Sequence, residues 1–77
     1  MSVVIGPIDL THYGCPMHYI KAREAISKIG LEEDIELWVN SGDAVTEVLK
    51  SLRQDGQQCE VTAEAVLTTT IRVRRKR

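Results

Sequence analysis

The sequence predicts a two-layer α/β fold, an α+β sandwich with its elements in the order β-α-β-α-β-β. Three observations predict it. Two stretches, 16–29 and 44–55, carry apolar residues at helical spacing. The stretches around them are period-two or rich in β-branched residues. Each helical stretch has a single apolar stripe, so both bury one face on the same side of one sheet.

Residues 3–10 read as a first strand, interrupted by Gly6-Pro7 and therefore short and near an edge there. Ile8 and Leu10 share one face, and Asp9 takes the other. Pro16 suits the first position of a helix, because the missing N–H has no intrahelical partner there anyway. Tyr19, Ala22, Ala25, Ile26 and Ile29 form its apolar stripe, and Gly30 is the expected left-handed stop.

Residues 34–40 alternate, with Ile35, Leu37 and Val39 facing one way and Glu36, Trp38 and Asn40 the other. Asp43 is the expected N-cap of a second helix. Its stripe is Ala44, Val45, Val48, Leu49 and Leu52, and Gly56 is its stop. Two strands close the chain, about 57–62 and 66–74, joined by a turn near Ala63 to Ala65. A right-handed crossover makes the first two strands parallel, and the final hairpin makes the four-stranded sheet mixed. Both helices are expected on one face, leaving Trp38 on the open one. Cys59 and Val61 alternate toward the helices, which makes Cys59 a core residue.

A chain of 77 residues makes one domain with a thin core. No apolar run is long enough to span a membrane. Val3 to Ile5 is too short for a secretory signal, so the expected location is the cytoplasm, where thiols stay reduced. Two cysteines are too few for a disulfide framework, and the two histidines lack zinc-finger spacing. No glycine-rich phosphate loop occurs. Neither a metal nor a cofactor is expected. Charge is uneven: Arg72, Arg74, Arg75, Lys76 and Arg77 form a basic tail of +5 on a body of −6. Glu32, Glu33 and Asp34 read as a solvated turn at the far end of the first helix.

The candidate for chemistry is Cys15. It precedes Pro16 and so stands at the N-cap of the first helix. Free N–H groups of a first turn and the positive end of the helix dipole both favour thiolate over thiol there. The loop from Thr11 to Gly14 is polar and short, which keeps the thiol accessible. His12 and His18 lie three residues to either side, where an imidazolium would favour the thiolate further. Each also has a structural reading. His18 lies on the side of Ala22, Ala25 and Ile29 and packs at the helix start; His12 is a solvated loop residue. For Cys15 itself, the alternative is a small apolar residue buried under the helix end.

Ile8-Asp9-Leu10 followed by Cys15-Pro16 at the opening of a helix resembles the TusA/SirA-like sulfur-carrier family. In that family an aspartate-containing strand runs into a Cys-Pro-x-Pro helix start, and the resemblance continues to Gly56. Here His18 replaces the second proline, and His12 stands where glycine is common. The resemblance implies the same β-α-β-α-β-β fold, with Cys15 as the persulfide-bearing residue and Asp9, Gly14, Pro16, His12 and His18 around it. It implies a sulfur-donor protein, a cysteine desulfurase or rhodanese, and a sulfur-acceptor protein. Family roles include tRNA thiolation, sulfur supply for cofactors and sulfur oxidation.

Two other readings stay open. The basic tail and open sheet face suit a non-catalytic regulatory or RNA- or protein-binding module. Against RNA stand the acidic body and a stock of only three aromatic residues for stacking. Cys15 and Cys59 could also form a redox pair, which a buried Cys59 argues against.

Overall fold

A computed structural model describes residues 4–14 and 17–77. The elements are β1 (Val4–Asp9), α1 (Met17–Ile26), β2 (Asp34–Asn40), α2 (Asp43–Gln54), β3 (Gln58–Glu64) and β4 (Thr68–Arg74). This is the predicted β-α-β-α-β-β order. The sheet runs β1-β2-β4-β3, with β1 parallel to β2 and the other two pairs antiparallel.

The alternation of β2 decides the layers. Ile35, Leu37 and Val39 are buried and meet Val73 and Ile71 on β4, with Leu10 and Cys59 on the same side. Ala22 and Ile26 of α1 and Val48 and Leu52 of α2 close over them. Both helices therefore cover one face. Trp38 points to the other and is 41% exposed. Val61 is exposed as well, on an edge strand where only Cys59 reaches the core.

β1 is the other edge strand. Its register with β2 shifts between Ile5 and Ile8, at the cis Gly6-Pro7 bond. Gly6 has φ +107°, and a Cβ there would lie 2.7 Å from the Glu36 carbonyl oxygen. The predicted interruption near an edge is thus a β-bulge.

Four local expectations need correction. α1 ends at Ile26, and the Lys28 and Ile29 N–H groups tighten to i→i−3 bonds on Ala25 and Ile26. Gly30 is not left-handed; Glu32 takes that conformation at φ 67°, while the Glu33 carboxylate accepts the Gly30 N–H. The cap of α2 is Gly42, with no side-chain cap bond, and Asp43 lies in the first turn, where its charge suits the helix dipole. The β3–β4 turn falls at 65–67 rather than 63–65, because a bulge between Val61 and Ala63 lengthens β3. Gly56 is the predicted stop, at φ +91°. Its N–H reaches the Arg53 carbonyl and that of Gln57 reaches Leu52, a Schellman closure.

The acidic turn and the basic end meet, which the sequence reading did not expect. Asp34 is 1% exposed rather than solvated. Arg72 donates to its Oδ2 at 2.7 and 3.0 Å, and Arg74 donates to Oδ1 at 2.8 Å. Arg72 and Arg74 are residues of β4, not of a tail beyond it. Lys76 pairs with Glu32 at 2.8 Å, and Arg75 donates to the Ile29 carbonyl behind α1.

The guanidiniums, Arg74 first, hold the Asp34 carboxyl below its ordinary 3.8 against the opposing effect of burial. The folded state therefore takes up that proton at lower pH than the unfolded chain. This stabilisation is complete above about pH 4 and lost as pH falls through the folded value. Asp34→Asn is expected to cost about 1–2 kcal/mol at pH 7, moderated by solvent screening of the part-exposed arginines. In thermal melts that is a Tm about 5–10 °C lower. The gap to wild type should narrow below about pH 4, and a gap independent of pH would contradict the assignment.

Candidate functional site

The loop from β1 to α1 carries most of the residues singled out above. Its first anchor is the sheet: the Leu10 N–H donates to the Trp38 carbonyl at 2.8 Å, one step past the Asp9–Trp38 pair. Its second is Asp9. The Oδ1 of Asp9 accepts the Thr11 N–H at 2.9 Å and the Thr11 hydroxyl at 2.6 Å. That is an Asx turn, in which a short side chain replaces a backbone partner. These bonds, more than the nearby His12, lower the Asp9 pKa from its ordinary 3.8. Asp9 is exposed, and its geometry is that of a loop anchor held as carboxylate. The third anchor is Asn40, whose amide donates to the Thr11 carbonyl at 2.9 Å.

His12 lies 3.7 Å from Asp9 Oδ2 and is 85% exposed in its side chain. His18 is the opposite case. It is 4% exposed, on the buried side of α1 with Ala22 and Ile26. Its Nδ1 accepts the Tyr19 N–H at 2.9 Å, so the ring proton belongs on Nε2. Nε2 faces Glu47 Oε2 of α2 at 3.4 Å. The His18 N–H donates to the Gly14 carbonyl at 3.1 Å, the i→i−4 spacing of an α-helix.

Cys15 and Pro16 lie outside the described residues. Their neighbours are exposed: Tyr13 is 39% and Met17 41% accessible, with Lys21 Nζ 5.8 Å from the centre of the Tyr13 ring. A Cβ at Gly14 would meet nothing within 4 Å, so the backbone there borders open space.

The structure thus gathers Asp9, His12 and Gly14 on one loop and ties His18 to its end. Three supporting residues were not singled out from the sequence. Thr11 had a signal, since Asp-x-Thr is an Asx-turn pattern. Asn40 and Glu47 had none, because their contacts cross 29 residues in sequence for Asn40–Thr11 and a separate helix for Glu47.

Cys59 belongs to the core. It is 9% exposed, and burial pushes its thiol pKa above the ordinary value against the lesser opposing effect of Arg53. Among the described residues, no group of three or more His, Cys, Asp or Glu side chains is placed to hold a metal ion. No helix of the described residues is long and apolar enough to cross a membrane.

Fold and loop together define a small two-layer α/β domain in which a strand ending in aspartate is carried through an Asx turn toward the amino end of the first helix. The profile of the sulfurtransferase TusA family matches residues 7–75, and the chain belongs to that family. Proteins of this family work in sulfur relay between donor and acceptor proteins. No curated protein and no solved structure matches the chain.

The contrast at Cys59 can be checked directly. In native protein near pH 7, Cys59 is expected to resist iodoacetamide and to be labelled only after denaturation, because the thiolate is the reactive form and burial disfavours it. Peptide mapping reads this. Rapid native labelling of Cys59 would contradict its place in the core.

Proposed function

We propose that this chain is a sulfur carrier that holds sulfane sulfur as a persulfide on Cys15. The observation that carries the reading is the family match over residues 7–75, which spans Asp9, Cys15 and Pro16. The loop geometry supports it. Asp9 and Thr11 fold the loop, and the Gly14 carbonyl receives the His18 N–H at the amino end of α1. Cys15 and Pro16 stand in sequence between Gly14 and Met17, the first residue of α1. A helix amino end offers unpaired N–H groups and a positive dipole to an anionic sulfur.

The chemistry is sulfur exchange. The Cys15 thiolate attacks the outer sulfur of a donor persulfide. A sulfur–sulfur bond forms to Cys15 while the donor's own breaks, and the donor leaves as thiolate. An acceptor thiolate then attacks the outer sulfur on Cys15, and the Cys15 thiolate leaves. The two steps balance without an oxidant, a metal or a cofactor. The donor fits a cysteine desulfurase or a rhodanese-like protein, and the acceptor is a second protein thiol, in tRNA thiolation or another sulfur-using process. Asp9 folds the loop through Thr11, the Gly14 carbonyl receives the His18 N–H, and a proline at position 16, just before Met17 in sequence, is a residue type that suits a helix start. His12 is exposed beside Asp9.

An RNA contact through residues 72–77 has less support. Arg72 and Arg74 are engaged by Asp34, Arg75 by carbonyls behind α1, and Lys76 by Glu32. A Cys15–Cys59 redox pair is likewise weakened, because Cys59 is buried and its thiol pKa raised.

Incubation with inorganic polysulfide followed by intact-mass measurement tests the carrier reading. An adduct of about 32 Da, one sulfur, is expected on wild type and on Cys59→Ala, and is removed by dithiothreitol. Cys15→Ser should show none. No adduct on wild type, or an equal one on Cys15→Ser, would defeat the proposal.

A further inference from the structure

Among the described residues, the two most exposed large apolar side chains stand at the tip of the β3–β4 hairpin. Val66 is 92% and Leu67 79% accessible. Turns favour glycine, proline, asparagine, aspartate and serine, and Ala65-Val66-Leu67 contains none of them. The turn is nevertheless firmly held. The Ala65 N–H donates to the Thr68 carbonyl at 3.0 Å. Ser41, just past β2, donates its N–H to the Leu67 carbonyl at 3.1 Å and its hydroxyl to the Ala65 carbonyl at 2.7 Å. The residue before it, Asn40, holds the Thr11 carbonyl at 2.9 Å. Consecutive residues at the end of β2 thus anchor both the hairpin tip and the exit loop, at one end of the sheet.

Beside the tip, Trp38, Ala63 and Ala65 line a shallow hollow on the open face, which Glu64 also borders. Asp43, Glu60 and Glu64 are exposed around this surface, and none is in an ion pair among the described residues. The bases of the same face, Arg72 and Arg74, are committed to Asp34. The surface is therefore apolar at its centre and negative at its edge. Ordinary strand spacing gives the whole four-stranded face a footprint of about 400 Å². A lasting interface needs about 800 Å² per partner, so this one suits a brief encounter. The unpaired carboxylates repel phosphate-bearing partners, and a second copy would oppose like charge with like.

We propose that the hairpin tip and the hollow beside it are a docking surface for a cationic amphipathic segment of a relay partner protein. Val66, Leu67 and Trp38 meet the apolar side of that segment. Lysine or arginine on its flank meets Asp43, Glu60 and Glu64, which sets encounter rate and selectivity. An anchor whose backbone is already fixed loses little freedom on binding. That the partner belongs to a sulfur relay rests on the sulfur-carrier reading. The docking chemistry itself does not.

Trp38 is the only tryptophan of the chain, so its fluorescence reports on this surface. The full chain is titrated with a synthetic amphipathic helix of leucine and lysine, about 14 residues long, and with its leucine–glutamate counterpart. The first is expected to give a saturable blue shift and the second none. Val66→Ser with Leu67→Ser should weaken binding about tenfold, through the loss of two apolar contacts. Its Tm should stay close to that of wild type, because both side chains are exposed. Leu31→Ser, at a residue that is also apolar and exposed but lies before the start of β2, should leave affinity within about twofold. Glu60→Gln with Glu64→Gln should weaken binding about threefold and flatten its salt dependence. No binding by wild type, equal binding by the tip variant, or equal affinity for the leucine–glutamate helix would overturn the proposal. So would a dimer in sedimentation that the tip substitutions dissolve, which would assign the surface to a second copy. The two readings fail separately. A polysulfide adduct without peptide binding leaves the carrier reading and removes the docking surface. Peptide binding without an adduct does the reverse.

Discussion

The parallel pairing of β1 with β2 is the constraint on which the rest of this structure depends. Two parallel neighbours cannot be joined by a tight turn, so the chain must leave the end of β1, cross one face of the sheet and return to the start of β2. α1 is that crossing. Its buried residues, Ala22 and Ile26, lie on the face defined by Ile35, Leu37 and Val39. The loop between Asp9 and Met17 consequently sits at the carboxyl end of both strands and feeds the amino end of a helix. Unpaired N–H groups and the positive pole of the helix dipole are found at such an end. A feature of sheet topology thus places the amino end of α1 beside the exit loop that carries His12 and Gly14.

The polar network maintains that arrangement in two places. Asp9 and Asn40 hold the Thr11 N–H and carbonyl of the exit loop, beside Leu10, which is buried in the core. At the opposite end of the sheet, Asp34 gathers Arg72 and Arg74 across β2 and β4. Lys76 and Arg75 then secure the chain end against Glu32 and the carbonyls behind α1. In a small domain with a thin core, such cross-strand charge pairs supplement apolar burial. They also explain the uneven charge along the chain: the basic end and the acidic turn are partners in space.

Much of the fold was legible because it follows from periodicity. The strict alternation of residues 34–40 gave β2 with both boundaries, and the stripe through Val48 and Leu52 gave α2. Gly56 was legible because a left-handed stop demands glycine more than any other position. Gly30 shows where that logic fails. The left-handed residue came two positions later, at Glu32, held by a backbone bond to Arg75 that no local pattern announces. The burial of Asp34 escaped for the same reason, since its partners are 38 and 40 residues away. In the candidate site, Asp9 and the histidines stood out by residue type. The carboxylate of Glu47 near His18 did not, because a glutamate on the polar side of a helix looks like any other solvated charge until the neighbouring helix is in place.

The central claim is that the amino end of α1 keeps the Cys15 sulfur anionic near neutral pH. The most direct measurement is the Cys15 pKa in the Cys59→Ala protein, followed by thiolate absorbance at about 240 nm across a pH titration. The claim predicts a midpoint clearly below the ordinary cysteine value of about 8.5. A midpoint at or above that value would contradict it.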